Sequence, residues 1–192
     1  RIHLRKQIPI GAGLGGGSSD AAHVLLALNE LFALKLDIEI LCLLAAELGS
    51  DCPFFIRNEP QIAKGRGEQL TPISLNLNGL HCVLLNPKVH VSTKEAYAGV
   101  SPRIPEKTLQ ELLSLPIEVW PALLKNDFEE SVFKAHPEIA QLKSELEKTS
   151  ACYVSMSGSG ASVFALYKEK KEVPKALKSA VISAFKFQST KS

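Results

Sequence analysis

No stretch of the 192 residues approaches the roughly 20 consecutive apolar positions that a membrane-crossing helix needs, so no membrane partner is expected. A charge excess of one sign is also lacking. The 22 Lys and Arg against 20 Asp and Glu leave a net of +2, whereas a dedicated nucleic-acid binder carries a marked basic excess. Neither half hides one: residues 1–79 hold 7 basic and 8 acidic side chains, and residues 80–192 hold 15 and 12. The cysteines, Cys42, Cys52, Cys82 and Cys152, form no Cys-x-x-Cys pair, so the common zinc and redox patterns are missing. Cys42 and Cys82 lie in apolar runs and are expected to be buried thiols, in a reducing compartment. The five histidines show no ligand spacing, and no metal-binding histidine is assigned. No internal repeat, low-complexity tract, coiled-coil run or signal peptide is present. These absences leave a soluble globular protein with a small-molecule partner as the expectation.

What is present suits such a protein. Hydrophobic residues make up 45% and charged residues 22% of the chain. Residues 1–10 alternate enough to predict a half-exposed strand, with Lys6 interrupting its apolar face. A glycine-rich loop follows, then a helix over about 19–35 with Val24, Leu25, Leu28, Leu31 and Phe32 at helical spacing. Asp37 is expected to cap a second helix running to Leu48, with Gly49 as the residue just past its end. Pro53 predicts an extended Cys52 and a buried strand Phe54-Phe55-Ile56. A hairpin through Gly65-Arg66-Gly67 is expected between Ile62 and Ile73.

The pattern changes near Asn76-Leu77-Asn78-Gly79, which sets an expected boundary between domains 1–79 and 80–192. The second half reads as strand 81–86, a helix opened by the capping box Ser92-Thr93-Lys94-Glu95, and a mostly helical stretch to Lys148. Strands 151–156 and 162–167 follow, joined by a Ser-Gly-Ser-Gly turn, then helix 172–184 and strand 185–188. The expected fold class is α+β, with strands and helices in layers.

The strongest local signal is Pro9-Ile10-Gly11-Ala12-Gly13-Leu14-Gly15-Gly16-Gly17-Ser18-Ser19, which places five of the chain's 12 glycines within seven positions. Glycines let a backbone wrap tightly and turn its N–H groups inward. The helix start adds unpaired N–H groups and the positive end of the macrodipole. Together they form a phosphate cradle, to which Ser18 and Ser19 add hydroxyls for phosphate oxygen or Mg²⁺. A tight turn with a serine cap is the plainer alternative, but it needs one or two glycines rather than five. A Walker A loop requires a lysine before its Ser/Thr, and none is here. Gly11, Gly13 and Gly16 satisfy the dinucleotide spacing, but the preceding strand is half polar, and Asp37 stands between helices rather than ending a second strand. A protein-kinase glycine loop joins two strands, whereas here a helix follows.

The string resembles the phosphate-binding motif of the GHMP kinases, Pro-x-x-x-Gly-Leu-Gly-Ser-Ser-x-Ala, in the longer form Gly-Leu-Gly-Gly-Gly-Ser-Ser-Asp-Ala-Ala. Three further stretches are similar to that family in the same order: Leu48-Gly49-Ser50-Asp51-Cys52-Pro53-Phe54-Phe55, Asn126-Asp127-Phe128-Glu129, and Met156-Ser157-Gly158-Ser159-Gly160-Ala161-Ser162-Val163-Phe164. The resemblance covers nearly the whole chain. It implies a two-domain GHMP-kinase-like fold, with a truncated N-terminal nucleotide-binding domain and an α/β sandwich C-terminal domain. It further implies a kinase that uses ATP and Mg²⁺, in the bacterial cytoplasm with a plastid left open. The longer glycine string looks like the branch that acts on a methylerythritol carrying a cytidine diphosphate group, in isoprenoid precursor synthesis. Homoserine and phosphomevalonate kinases, and a non-catalytic nucleotide-binding fragment, are the alternatives. The family begins with a segment bearing a catalytic lysine, which this chain, starting at Arg1, is expected to lack and to need for activity.

The remaining roles come from the resemblance. Asp51 matches the catalytic aspartate, although its local pattern alone favours a loop cap. Lys6 matches a substrate contact beside the loop; an exposed strand lysine is the plainer alternative. Thr93 and Tyr97, four apart on one helix face, match a residue beside the substrate and a ring stacked on cytosine. A helix cap and a core aromatic are the alternatives there. Gly158, Ser159 and Gly160 match a turn that closes over phosphate or substrate, or else form a plain hairpin. The sequence names no Mg²⁺ ligand.

Overall fold

The structure is a computed structural model that describes residues 1–101 and 105–188. Residues 102–104, within the stretch expected to be mostly helical, lie outside the described residues. The chain forms two compact units, one of residues 15–75 and one of residues 1–14 with 76–192.

In the smaller unit, helix α1 spans Gly16–Leu31 and α2 spans Ile38–Leu48. Between them Ala33 and Lys35 take left-handed conformations, φ 50° and 57°. That turn is closed by Asn29, whose amide donates to the Leu36 carbonyl at 3.1 Å and accepts from the Leu36 N–H at 3.0 Å. Asp37 caps α2 as expected, its carboxylate accepting from the Ile40 N–H at 2.9 Å. Gly49 follows the end of α2 as expected, with an extended φ of 172°. Helix α3, Cys52–Arg57, replaces the strand expected over Phe54-Phe55-Ile56. Pro53 sits in its first turn, where a missing N–H leaves no bond unmade, so it opens a helix rather than holding Cys52 extended. A three-residue apolar run has no period by which to tell helix from strand. The hairpin forms as expected from β1, Gln61–Lys64, and antiparallel β2, Gln69–Pro72. Ala22, Leu41, Ala45, Cys52 and Ile56 form the buried centre, with Leu25, Leu26 and Phe55 packed against it.

The larger unit is organised by an antiparallel sheet in the order β4-β5-β3-β6. Its strands are β3 (His81–Leu85), β4 (Tyr153–Met156), β5 (Val163–Tyr167) and β6 (Val181–Lys186). The register shifts between Leu84 and Leu85 where β3 meets β6. The helix expected over 172–184 is instead a 3₁₀ turn, Lys175–Ala180, leading directly into β6. Pairing with β3 satisfies this segment's backbone, and that tertiary gain outweighs its helical composition.

The helical stretch is broken into α4 (Thr93–Ala98), α5 (Leu109–Leu113), a 3₁₀ turn at Ile117–Val119, α6 (Trp120–Leu123), α7 (Glu129–Ala135) and α8 (Pro137–Glu147). Ser92 caps α4 by accepting from the Glu95 N–H at 3.1 Å. The core joins Leu85 and Val163 of the sheet to Val132, Ile139, Leu142 and Leu146 of α7 and α8. Fully burying each aliphatic side chain contributes about 1.5–3 kcal/mol.

Two further expectations are corrected. Residues 1–10 form no strand and are exposed, since no described strand offers them a ladder. Cys42 is half-buried rather than buried, while Cys82 is buried and its thiol pKa is pushed up to about 11 by desolvation. All four cysteines are free. No helix among the described residues is long and apolar enough to cross a membrane.

Candidate active site

The glycine loop passes from the larger unit to the smaller between Leu14 and Gly15. Its first part, through Leu14, is docked on the turn joining β4 to β5. The Ser157 hydroxyl donates to the Gly13 carbonyl at 2.8 Å, and the Ser162 N–H donates to the Ala12 carbonyl at 3.1 Å. Gly13 has φ 71°, and a Cβ there would stand 2.3 Å from the Ser157 carbonyl oxygen and 2.5 Å from that of Gly160. Only glycine satisfies both the left-handed backbone and this approach. Across the loop, a Cβ on Gly11 would meet the His90 ring at 2.3 Å. Pro9 and Ile10 are exposed, as is Lys6, which lies in a segment without regular structure.

The second part of the loop opens α1. Gly15 adopts φ 61°, and its carbonyl accepts from the Ser19 N–H at 2.9 Å. The first N–H groups of α1, at Gly16, Gly17 and Ser18, therefore precede the helical ladder, and the first turn contains no acidic residue. An unpaired helix start without a competing carboxylate attracts an anion. Ser18 and Ser19 are half-buried there. The Ser19 hydroxyl lies 3.4 Å from His23 Nδ1, which also lies 2.8 Å from the Ser19 carbonyl oxygen.

Asp51 precedes α3 in the smaller unit. It is exposed and its side chain makes no capping hydrogen bond. Its carboxylate lies over the hairpin turn, where a Cβ on Gly67 would come within 2.9 Å of Oδ1.

In the larger unit, Thr93 and Tyr97 share α4 and both are exposed. Tyr97 is 64% exposed, so it is not the core aromatic of the alternative reading. Its ring packs T-shaped with that of Phe128, with centroids 4.8 Å apart and planes at 75°. Gly158, Ser159 and Gly160 form the turn after β4, with Gly158 exposed and Gly160 buried.

Two polar residues that composition and spacing do not single out hold this turn and its surroundings. Buried Asn86 donates from its amide to the Ser162 hydroxyl at 3.1 Å and accepts from the Lys88 N–H at 2.6 Å. Asn126 donates to the carbonyls of Met156 at 2.9 Å and Gly158 at 2.8 Å. Asn126 belongs to a stretch the sequence marks by its resemblance; Asn86, 76 residues from its partner, carries no local signal. Among the described residues no group of three or more His, Cys, Asp or Glu side chains is placed to hold a metal ion.

Comparison with known proteins gives the family. The family of GHMP kinase N-terminal domains matches residues 1–59, and that of GHMP kinase C-terminal domains matches residues 95–186. A 4-diphosphocytidyl-2-C-methyl-D-erythritol kinase of Porphyromonas gingivalis is 41% identical over 190 residues, covering 98% of this chain and 68% of that protein. The chain belongs to the GHMP kinase family.

A kinase of the same name from Bacteroides thetaiotaomicron is 50% identical over 173 residues, covering 90% of this GHMP chain and 63% of the relative. The chain thus spans less than two thirds of that relative's length. A crystal structure described as 4-(cytidine 5'-diphospho)-2C-methyl-D-erythritol kinase superposes with a TM-score of 0.68 at 37% identity, over 85% of this chain and 60% of that one. A homoserine kinase from Cytophaga hutchinsonii, with a TM-score of 0.65 at 20% identity over 86% of this chain and 59% of that one, shares the fold.

Proposed function

We propose that this GHMP chain belongs to an ATP-dependent kinase that transfers the γ-phosphate to the 2-hydroxyl of 4-diphosphocytidyl-2-C-methyl-D-erythritol, a step of isoprenoid precursor synthesis in the cytoplasm. The relatives support the reading, since those from Bacteroides thetaiotaomicron and Porphyromonas gingivalis carry that kinase name. The observation that carries the choice of substrate within the family is Tyr97, an exposed ring packed T-shaped with Phe128. An exposed aromatic ring is what a pyrimidine needs for stacking, which is worth about 1–3 kcal/mol per base.

In this reading the N–H groups of the loop 9–19 and of the start of α1 hold the triphosphate, with Ser18 and Ser19 adding hydroxyls. Asp51 orients the substrate hydroxyl and accepts its proton as the new P–O bond forms and ADP leaves. Lys6, Thr93 and the turn Gly158-Ser159-Gly160 contact the substrate. Domain 1–79 is the remainder of the ATP-binding domain and 80–192 the C-terminal GHMP-kinase domain.

Mg²⁺ fits as a phosphate-borne ion. No cluster of His, Cys, Asp or Glu among the described residues offers a protein cage, and Mg²⁺ is commonly held by one or two protein oxygens plus substrate phosphates. Ser18 and Ser19 would supply those oxygens, and the bound ion would neutralise charge between the phosphates.

The test is ADP release in a polypeptide of the relatives' length that carries these 192 residues. Turnover is expected with the cytidine substrate and not with homoserine or phosphomevalonate. Turnover with homoserine alone would overturn the assignment.

A further inference from the structure

We propose that Asn126-Asp127-Phe128-Glu129, at the entry to α7, is a positioning element that sets two ligand sites at once: the phosphate loop through Asn126 and the base-stacking ring of Tyr97 through Phe128. The proposal rests on the kinase reading above and goes beyond it, because none of these four residues need touch a substrate.

The first arm is a chain of hydrogen bonds. Asn126 directs both its amide hydrogens into the turn after β4, to the Met156 and Gly158 carbonyls, while its side-chain carbonyl accepts from the Phe128 N–H at 3.0 Å. Three of its four hydrogen-bonding positions are thus committed. The Glu129 carboxylate accepts from the Met156 N–H at 2.8 Å and is fixed by Lys143 at 2.5 Å. Between the residues so held stands Ser157, whose hydroxyl donates to the Gly13 carbonyl. A shift of Asn126 therefore moves the surface on which the glycine loop rests.

The second arm is packing. Phe128 is half-buried against the core of the larger unit and presents its ring to Tyr97. Its carbonyl accepts from the Ser131 hydroxyl at 3.2 Å, and Ser131 in turn lies where a Cβ on Gly99, the end of α4, would stand 2.4 Å away. Helix α4, with Thr93 and Tyr97, is thereby seated on the first turn of α7. Phe128 fixes the tilt of the stacking ring while leaving the exposed part of that ring to a base.

The test compares Asn126→Asp with Phe128→Leu in a polypeptide of the relatives' length carrying these residues, reading KM for ATP and for the cytidine substrate separately. Aspartate keeps the shape and the bond from the Phe128 N–H but cannot donate to two carbonyls. It is expected to raise the KM for ATP about tenfold and that for the cytidine substrate, which meets the same turn at Gly158, by no more than about threefold. Leucine removes the ring, and it is expected to raise the KM for the cytidine substrate about fivefold with ATP within about twofold. Ser157→Ala removes the link to the Gly13 carbonyl alone and is expected to follow the ATP pattern more weakly. It decides the first arm should the aspartate variant fail to fold.

Variants that move both KM values equally, or neither, overturn the proposal and leave the segment a purely structural one. A parent protein without turnover would instead overturn the kinase reading, and this inference with it.

Discussion

The larger unit buries Leu85, Ile139, Leu146, Met156 and Val163 almost completely between a four-stranded sheet and two helices. The smaller unit buries Ala22, Leu41, Ala45, Cys52 and Ile56, and leaves Leu31 74%, Leu43 70% and Phe32 65% exposed. The start of α1 and Asp51 stand on the thinly packed unit. The β4–β5 turn, Asn126 and Tyr97 stand on the densely packed one. In the proposed reading, the parts that would meet a reacting phosphate are held by caps and a helix end, whereas those that would select a substrate by shape stand on a rigid base. Substitution of exposed groups in the smaller unit should therefore cost activity more than stability, and substitution in the core of the larger unit the reverse.

The largest effect is expected from Asp51→Asn. Removing the proton acceptor should lower turnover about 10²–10⁴-fold, with ATP affinity and the unfolding midpoint nearly unchanged because the side chain makes no capping bond. Retention of most of the turnover would remove Asp51 from the chemistry. Leu85→Ala in the larger unit should do the reverse, costing about 2–5 kcal/mol in denaturant unfolding. A loss much below 1 kcal/mol would show that the sheet face is less tightly packed than its burial indicates.

Gly13→Ala should combine both effects, since it forces a side chain into a left-handed position and against two carbonyl oxygens. About 1–3 kcal/mol of strain is expected, with weakened ATP binding by calorimetry. Unaltered nucleotide affinity would separate the docked half of the loop from the phosphate site.

Leu31→Lys combined with Leu43→Lys in the smaller unit should change unfolding by no more than about 0.5 kcal/mol each in denaturant titration. A loss of several kcal/mol would show that these side chains are buried in solution.

The smallest effect concerns Cys82. Burial favours its neutral thiol and pushes the pKa up to about 11, above the ordinary value near 8.5. Its stabilising contribution is full below the ordinary value and is lost as pH rises toward the folded one. Iodoacetamide at pH 8 should label half-buried Cys152 well before Cys82, with mass spectrometry as the readout. Equal rates would show that the β3 environment opens readily.

Local chemistry was legible because it is written in adjacent residues. The glycine loop, the helix it opens, the Asp37 and Ser92 caps, the hairpin at Gly65-Arg66-Gly67 and strands β3 to β5 each follow from spacing within a few positions. Composition and motif order also sufficed to point to the family. What depended on partners elsewhere in the chain was not legible. Residues 1–10 carry a strand's alternation, yet an isolated strand has no ladder. Phe54-Phe55-Ile56 is too short to show a period, and residues 181–186 became a strand because β3 was there to pair with. The docking of Gly13 on Ser157 joins positions 144 apart, and the exposure of Tyr97 depends on how α4 sits against Phe128. The sequence by itself determined where a glycine-rich backbone opens a helix, because glycine torsions and a helix start are local properties. Tertiary structure alone decided which carbonyls, rings and amides hold those residues in place, because packing and hydrogen bonding act between atoms that the chain order leaves far apart.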